Sequence, residues 1–283
     1  MGSVALSDRQ LRIKSIQYRL KILKYIKMAN AGHTGGSLSC IDILNVLYNR
    51  ILRVSPQTFG HPDRDRYIQS KGHSVEALYV VLADRGFFGE SELETLCRYM
   101  SRLAGHPTRK VPGIEHNTGA LGHGLAFAVG VALTGKKDGR AYRVFVLLGD
   151  GELDEGSNWE AMMAASHYGL DNLIAIVDRN MLQITGPTEQ VCRLEPLADK
   201  LAAFGWSVRI ADGHDIPALT DVLSAVPFEP GRPSAIIART TKGKGVSFME
   251  YDPSWHHGVP DNQQYEIAQQ QLEQLLREAG GGQ

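Results

Sequence analysis

Hydrophobic residues recur along this chain with two different signatures, and the two alternate. Over residues 7–31, Ile13, Ile16, Leu20 and Leu23 follow one another at spacings of three, four and three, which is one face of a helix. Ser7 and Gln10 precede them as a capping-box pattern. A second helix is expected from about Ser39, with Ile41, Leu44, Tyr48 and Ile51 on one face. Elsewhere short strands are expected at 67–70, 143–148, 173–177, 206–210 and 234–239, with unbroken apolar runs within 143–148 and 173–177. Such runs are the pattern of strands buried on both faces of a parallel sheet. Helical stretches separate them: 76–85, 90–103, one opening after Gly124, one within 152–168, 194–204, 216–226 and 261–278. Polar connections are expected at 56–66, 134–140 and 182–188. Strand–helix alternation of this kind predicts an α/β fold built on a doubly wound, mostly parallel sheet. No internal repeat, linker-like change of composition or low-complexity region interrupts residues 1–283, so one domain is the simplest partition. Residues 279–283 read as a flexible tail.

Composition narrows the classes. The 283 residues are 43% hydrophobic and 22% charged, ordinary for a globular protein with a sizeable core. A net charge of -1 gives no electrostatic case for nucleic acid or an anionic membrane. Cys40, Cys97 and Cys192 are far apart and form no CxxC, which argues against a disulfide scaffold or structural zinc and suits a reducing compartment. With no membrane-length apolar stretch and no signal-peptide core near the start, a cytoplasmic protein is expected. Ten histidines are the compositional oddity, several of them beside glycines.

The chemistry concentrates at Gly149-Asp150-Gly151-Glu152, directly after the 143–148 run, and at Asn180, three residues after the 173–177 run. Both fall at carboxyl ends of strands, where open α/β sheets bind ligands. A carboxylate, an amide oxygen, glycines and a helix N-terminus suit a divalent cation bridged to a diphosphate. His33 lies in a glycine loop between two helices, His73 beside Gly72 where a helix begins, and His106 between Gly105 and Pro107. Each is compatible with a polar loop residue or with a catalytic one. The glycines at 113, 119, 122 and 124 open a helix whose Leu125, Val129 and Ala132 share a face, with Ala126 and Gly130 small enough for close packing on the sheet or on a partner helix. Trp159, Met162, Met163 and Ala165 form a stripe of core or interface type, and Glu155 and Glu160 lie near the start of the same helix. Residues 240–245, TTKGKG, lack the first glycine of a phosphate-binding P-loop, and that reading is rejected.

Taken together, the GDG to Asn180 spacing, Ala31-Gly32-His33, Ser70-Lys71-Gly72-His73, Gly105-His106-Pro107, Thr118-Gly119-Ala120-Leu121-Gly122 and His257-Gly258 resemble, in order, the N-terminal diphosphate-binding half of the transketolases. The resemblance runs over essentially the whole length. It departs at Thr34 and Ala120, where the family commonly has proline, and at His123, where it often has glutamine. The pyrimidine-binding domain expected to follow is missing, so the chain looks like the N-terminal subunit of a split transketolase.

The resemblance implies a set of roles. Asp150, Asn180 and the carbonyl of Leu182 would ligate Mg²⁺ or Ca²⁺. Gly151, Glu152, Asn180, His73 and His257 would bind thiamine diphosphate, with Gly119 and Leu121 at its aminopyrimidine side. His33, His73, His106 and His257 would line the reacting centre, and Glu155 and Glu160 would act as buried interface acids linking two cofactor sites. The implied reaction moves a two-carbon ketol unit from a ketose phosphate to an aldose phosphate, with the cofactor as electron sink and histidines moving protons. A separately encoded partner would bring the pyrimidine-binding domain, in an α2β2 heterotetramer. Two other readings remain: the α subunit of a thiamine-dependent 2-oxo acid dehydrogenase, and a non-catalytic transketolase-like regulator.

Overall fold

The computed structural model describes residues 6–281. The chain begins with α1 (Asp8–Ala29), α2 (Thr34–Val46), β1 (Arg66–Gln69), α3 (Val75–Asp84) and α4 (Gly124–Lys137). It continues with β2 (Val144–Gly149), α5 (Gly156–His167), β3 (Leu173–Arg179), the two-residue strands β4 (Leu182–Gln183) and β5 (Gly186–Pro187), and the single turn α6 (Thr188–Val191). It closes with α7 (Leu197–Ala203), β6 (Ser207–Asp212), α8 (Ile216–Ser224), β7 (Ser234–Arg239) and α9 (Asn262–Gly280).

Five strands form one sheet in the order β1-β2-β3-β7-β6, every pair parallel. Side chains alternate across it, and both faces are dry. Phe145, Leu147, Ile174, Ile176 and Ile236 pack against α1, α2, α3, α8 and α9. Val144, Val146, Leu148, Ala175, Val177 and Ile237 pack against α4, α5 and α7. This is the doubly wound arrangement, and double burial is why, among the five strands, β2 and β3 carry unbroken apolar runs. β6, at the sheet edge and half exposed, is the least apolar of them.

The Ser7–Gln10 capping box is present, with both reciprocal bonds made. Four local expectations are corrected. α2 starts at Thr34, not near Ser39, because all its residues are buried and tertiary packing overrides the low helix propensity of Gly35 and Gly36. A Cβ on Gly35 would lie 2.8 Å from the carbonyl oxygen of Trp255. Residues 90–103 form only a 3₁₀ stretch, Glu90–Thr95, followed by a loop with Cys97 and Met100 at positive φ. There the Thr95 hydroxyl bonds the Glu92 carbonyl and the Ser101 hydroxyl, side-chain bonds that compete with helix continuation. The loop expected at 182–188 contains the β4–β5 hairpin. α9 runs through Gly280, so the expected tail is helical at 279–280, and Gly282 and Gln283 lie outside the described residues. No helix among the described residues is long and apolar enough to cross a membrane.

Candidate active site at the carboxyl edge of the sheet

Because β1, β2, β3 and β7 are parallel neighbours, their carboxyl ends open onto one side of the sheet. β1 delivers Lys71 and His73, β2 delivers Asp150 and Gly151, β3 leads into Asn180 and Leu182, and β7 leads into Lys242. These residues, with Gly36 from the first turn of α2, line a cavity of about 230 Å³. The first N–H groups of a helix lack intrahelical acceptors, so the start of α2 adds positive potential.

One side of the cavity is built from oxygens. Asp150 is 2% exposed; its Oδ1 accepts the Gly151 N–H at 2.9 Å and its Oδ2 the Met181 N–H at 2.6 Å. Arg179 donates to the same Oδ2 at 3.2 Å. The Asn180 amide oxygen accepts the Leu182 N–H at 3.1 Å, and the Leu182 carbonyl accepts from Lys242 Nζ at 3.0 Å. Met181 turns the chain between them with φ 69°. Burial and the neighbouring Asp178 raise the Asp150 carboxyl above its ordinary pKa, against the Arg179 charge.

The other side is cationic. Lys71, 1% exposed, pairs with the fully buried Asp178 and donates to the Gly36 carbonyl at 3.1 Å. Burial pushes Asp178 up, but the Lys71 charge and bonds from Lys71, Ser39 and Thr240 outweigh it and hold the carboxyl low. Among the described residues no carboxylate pairs with Lys242; burial and the Lys71 charge lower its ammonium to about 8. Three hard oxygens facing two lysines and a helix start fit a divalent cation and an anionic ligand bound together. Among the described residues no group of three or more His, Cys, Asp or Glu is arranged to hold a metal alone. A cation here therefore needs oxygens from its ligand to complete a shell.

Above this floor lies a basin of imidazoles. The His33 ring is 5.2 Å from His73, 5.9 Å from His106, 5.7 Å from His256 and 4.7 Å from His257. His256 stacks on His73 at 5.0 Å, and its Nδ1 lies 3.1 Å from Lys242 Nζ. Burial, then the neighbouring histidines, lowers His33 to about 4; burial, then Lys242, lowers His256 to about 3. Burial and the Lys71 charge hold His73 well below its usual value, and burial lowers His106. These four imidazoles are neutral at pH 7, able both to donate and to accept. Gly119, at φ 140°, brings His106 in: a Cβ there would lie 2.7 Å from the ring. Behind His33, the buried Glu76 accepts its N–H at 3.1 Å and the Ser37 hydroxyl at 2.8 Å.

The structure thus gathers Asp150, Asn180, Leu182, Gly151, Leu121 and His73 around the cavity, and groups His33, His106 and His257 with the His73 and His256 that line it. Glu152 also lines it, but its carboxylate is turned to the Ser70 hydroxyl and the Gly122 and Gly149 N–H groups, so it clasps three loops together. Glu155, the residue before α5, and Glu160 on it stand apart from the cavity, both exposed. A 3₁₀ turn occupies Gly151–Asp154 before α5, in keeping with the loop-then-helix reading of 152–168, and the helix start that faces the cavity is that of α2. Sequence reasoning missed Lys71, Lys242, His256, Arg179 and Glu76. Lys71, Arg179 and His256 lie within one or two residues of predicted ones and carried a positional hint; Lys242 and Glu76 act through partners distant in sequence.

Residues 10–274 match a family described as the thiamine diphosphate binding domain of transketolase. The chain is 46% identical to a subunit of the apulose-4-phosphate transketolase of Phocaeicola vulgatus, over 96% of this chain and 98% of the relative. It is 41% identical to the 6-deoxy-6-sulfo-D-fructose transketolase subunit SqwG of a Clostridium species, over 89% and 92%. Human transketolase is 40% identical over 96% of this chain but only 42% of its own length. Among solved structures, Campylobacter jejuni transketolase superposes with a TM-score of 0.86 at 29% identity, covering 93% of this chain. The chain spans less than half the length of that protein, 43%.

Proposed function

The chain belongs to the transketolase family of thiamine diphosphate binding domains, and we propose from that premise that it is one half of a two-chain transketolase. The proposed reaction transfers a two-carbon ketol unit from a ketose phosphate to an aldose phosphate. The observation that carries the reading is the end-to-end match to relatives that are themselves named as separate subunits of transketolases, on a chain whose cavity pairs hard oxygens with lysines. The partner would supply the pyrimidine-binding domain, in an α2β2 assembly. The exposed faces of α4 and α5, where Ala126, Gly130, Glu155, Glu160 and Met163 meet solvent, are where such a partner would seat.

Thiamine diphosphate, when bound, supplies the electron sink for carbon–carbon cleavage. The chain's own residues hold and surround it. Asp150, Asn180 and the Leu182 carbonyl would hold a divalent metal, and Lys71, Lys242 and the first turn of α2 would offset the charge of the diphosphate. Gly151 leaves the strand end open; a Cβ there would lie 2.7 Å from Gln183. His33, His73, His106, His256 and His257 form a donor–acceptor surface for sugar hydroxyls. Being neutral, His33 and His106 can take a hydroxyl proton and return it without a buried charge in the resting state.

A 2-oxo acid dehydrogenase component is disfavoured, since the relatives matched over their full length are transketolase subunits and the histidine basin suits a polyhydroxylated donor. A non-catalytic regulator is disfavoured by the intact oxygen and histidine sets. The test is reconstitution. The purified chain should show no turnover of ketose phosphates alone and gain it with its partner; turnover by the single chain contradicts the two-chain reading. In the assembled complex, Asp150→Ala should abolish metal-dependent thiamine diphosphate binding by calorimetry, and unaltered affinity overturns the ligand assignment.

A further inference from the structure

α2 begins without a cap of its own. His33 is its N-cap residue, and the imidazole makes no capping bond. In a capping box the N-cap N–H is accepted by a Glu or Gln three residues on. Here that position is Gly36, which has no side chain. Glu76, in the first turn of α3, supplies the acceptor from a different helix. Its Oε1 takes the His33 N–H at 3.1 Å, and its Oε2 takes the Ser37 hydroxyl at 2.8 Å. The approach is close: a Cβ on Gly32, at φ 157°, would lie 2.9 Å from Glu76 Oε1. On its other side His33 is joined to Gly258 by a parallel bridge, and the Thr34 hydroxyl bonds the Gly258 carbonyl at 2.6 Å.

The His33 backbone is thus pinned between α3 and the segment that carries His257. The ring, with no bond of its own to the cap, is aimed by that backbone, and it stands 4.7 Å from His257 and 5.2 Å from His73. Glu76 is 2% exposed, and burying a carboxyl is costly where an apolar side chain would not be. What the carboxyl provides is two acceptors directed at the start of α2. We propose that Glu76 is a positioning residue that caps α2 from α3 and thereby holds His33 in the histidine basin for the hydroxyls of the sugar donor. This rests on the reading of the basin as the surface that binds those hydroxyls.

Two readouts test it. The first is an NMR titration of the histidine ring nitrogens in the full chain, with His33→Asn assigning the His33 signal. His33 is faced by His73, His106, His256 and His257 and by the charges of Lys71 and Lys242; burial and these neighbours hold it at about 4. In Glu76→Ala its midpoint should rise toward the ordinary 6.5 as the ring leaves the basin. The second is turnover by the two-chain complex. Glu76→Ala should lower kcat/KM for the ketose phosphate by roughly tenfold to a hundredfold, the scale expected of a misplaced group. Thiamine diphosphate affinity, read by calorimetry, should stay unchanged. Glu76→Gln keeps an oxygen for the His33 N–H and should restore most of both readouts, which guards against misfolding of the alanine variant. An unmoved His33 titration in Glu76→Ala overturns the role, as does a Gln variant as impaired as the Ala one. A loss of turnover matched by an equal loss of cofactor affinity also overturns it, because that marks a general structural role. If His33 titrates as expected but the unsubstituted complex turns over no ketose phosphate, the cap stands and the ketol-transfer reading fails.

Discussion

Met181 carries a left-handed backbone, φ 69°, in the middle of the oxygen-lined turn. That conformation lets its N–H reach Asp150 while Asn180 and Leu182 on either side both face the cavity. For a residue with a Cβ it costs roughly 1–2 kcal/mol. Its side chain is 42% exposed and has little packing to lose. Met181→Gly should stabilise the chain by up to about 1 kcal/mol, allowing for glycine's extra freedom when unfolded, read as a higher midpoint in thermal melts. A lower midpoint would show that the methionine packs more than its exposure suggests. Glu76 makes a pH-dependent counterpart. Burial raises its carboxyl from 4.5 to about 7, against the bonds from Ser37 and His33. The folded chain holds this proton more tightly than the unfolded one, so its contribution is full below about 4.5 and is lost as pH rises through about 7. The loss is on the order of 3 kcal/mol. Glu76→Gln should flatten that slope in denaturant titrations across this window; an unchanged slope would mean Glu76 is ionised throughout. Neither residue announces itself in sequence: Met181 sits in a loop with no motif of its own, and Glu76 meets His33 across 43 positions.

At the level of elements, the Lys71–Asp178 pair ties the end of β1 to the end of β3 across β2. Both side chains are buried, and Asp178 is also held by Ser39 and Thr240. Removing one partner leaves a buried charge, typically a loss of about 3–5 kcal/mol, whereas replacing both can be nearly neutral. Lys71→Met should therefore destabilise strongly, and Lys71→Met with Asp178→Leu much less, measured as a double-mutant cycle in denaturant. Additive losses would show that the pair contributes nothing jointly. The strands themselves were legible because burial on both faces leaves a continuous apolar run, and Ser234–Arg239 matches its expected span residue for residue. The helix expected at 90–103 was not, because Leu93, Leu96 and Leu103 carry a helical spacing that the chain reaches by another path. Periodicity records which side chains are buried, not the backbone route between them.

Across the whole molecule the histidine basin dominates acid stability. His33, His73, His106 and His256 are all held below the ordinary 6.5 by burial, and all but His106 also by one another or the lysines. The unfolded chain binds these protons more readily, so their contribution is present above about 6.5 and lost as pH falls through the folded-state values, about 4 for His33 and about 3 for His256. The sign opposes that of Glu76, and four imidazoles outweigh one carboxyl. Unfolding midpoints should drop between pH 7 and 4, and His73→Asn should lessen the drop; a midpoint flat over that range would mean the basin stays hydrated and chargeable. The sequence by itself determined the alternation that makes a doubly wound sheet, and the contiguous motifs that place Asp150, Asn180 and the glycine-flanked histidines at strand ends, because local periodicity and short motifs are properties of neighbouring residues. Only the tertiary structure decided that Lys71, Lys242, His256 and the start of α2 face those motifs, that Arg179 occupies one oxygen of Asp150, and that Glu155 and Glu160 lie on an open face. Those relations depend on which strand ends stand side by side, and strand order is set by long-range packing that no local pattern encodes.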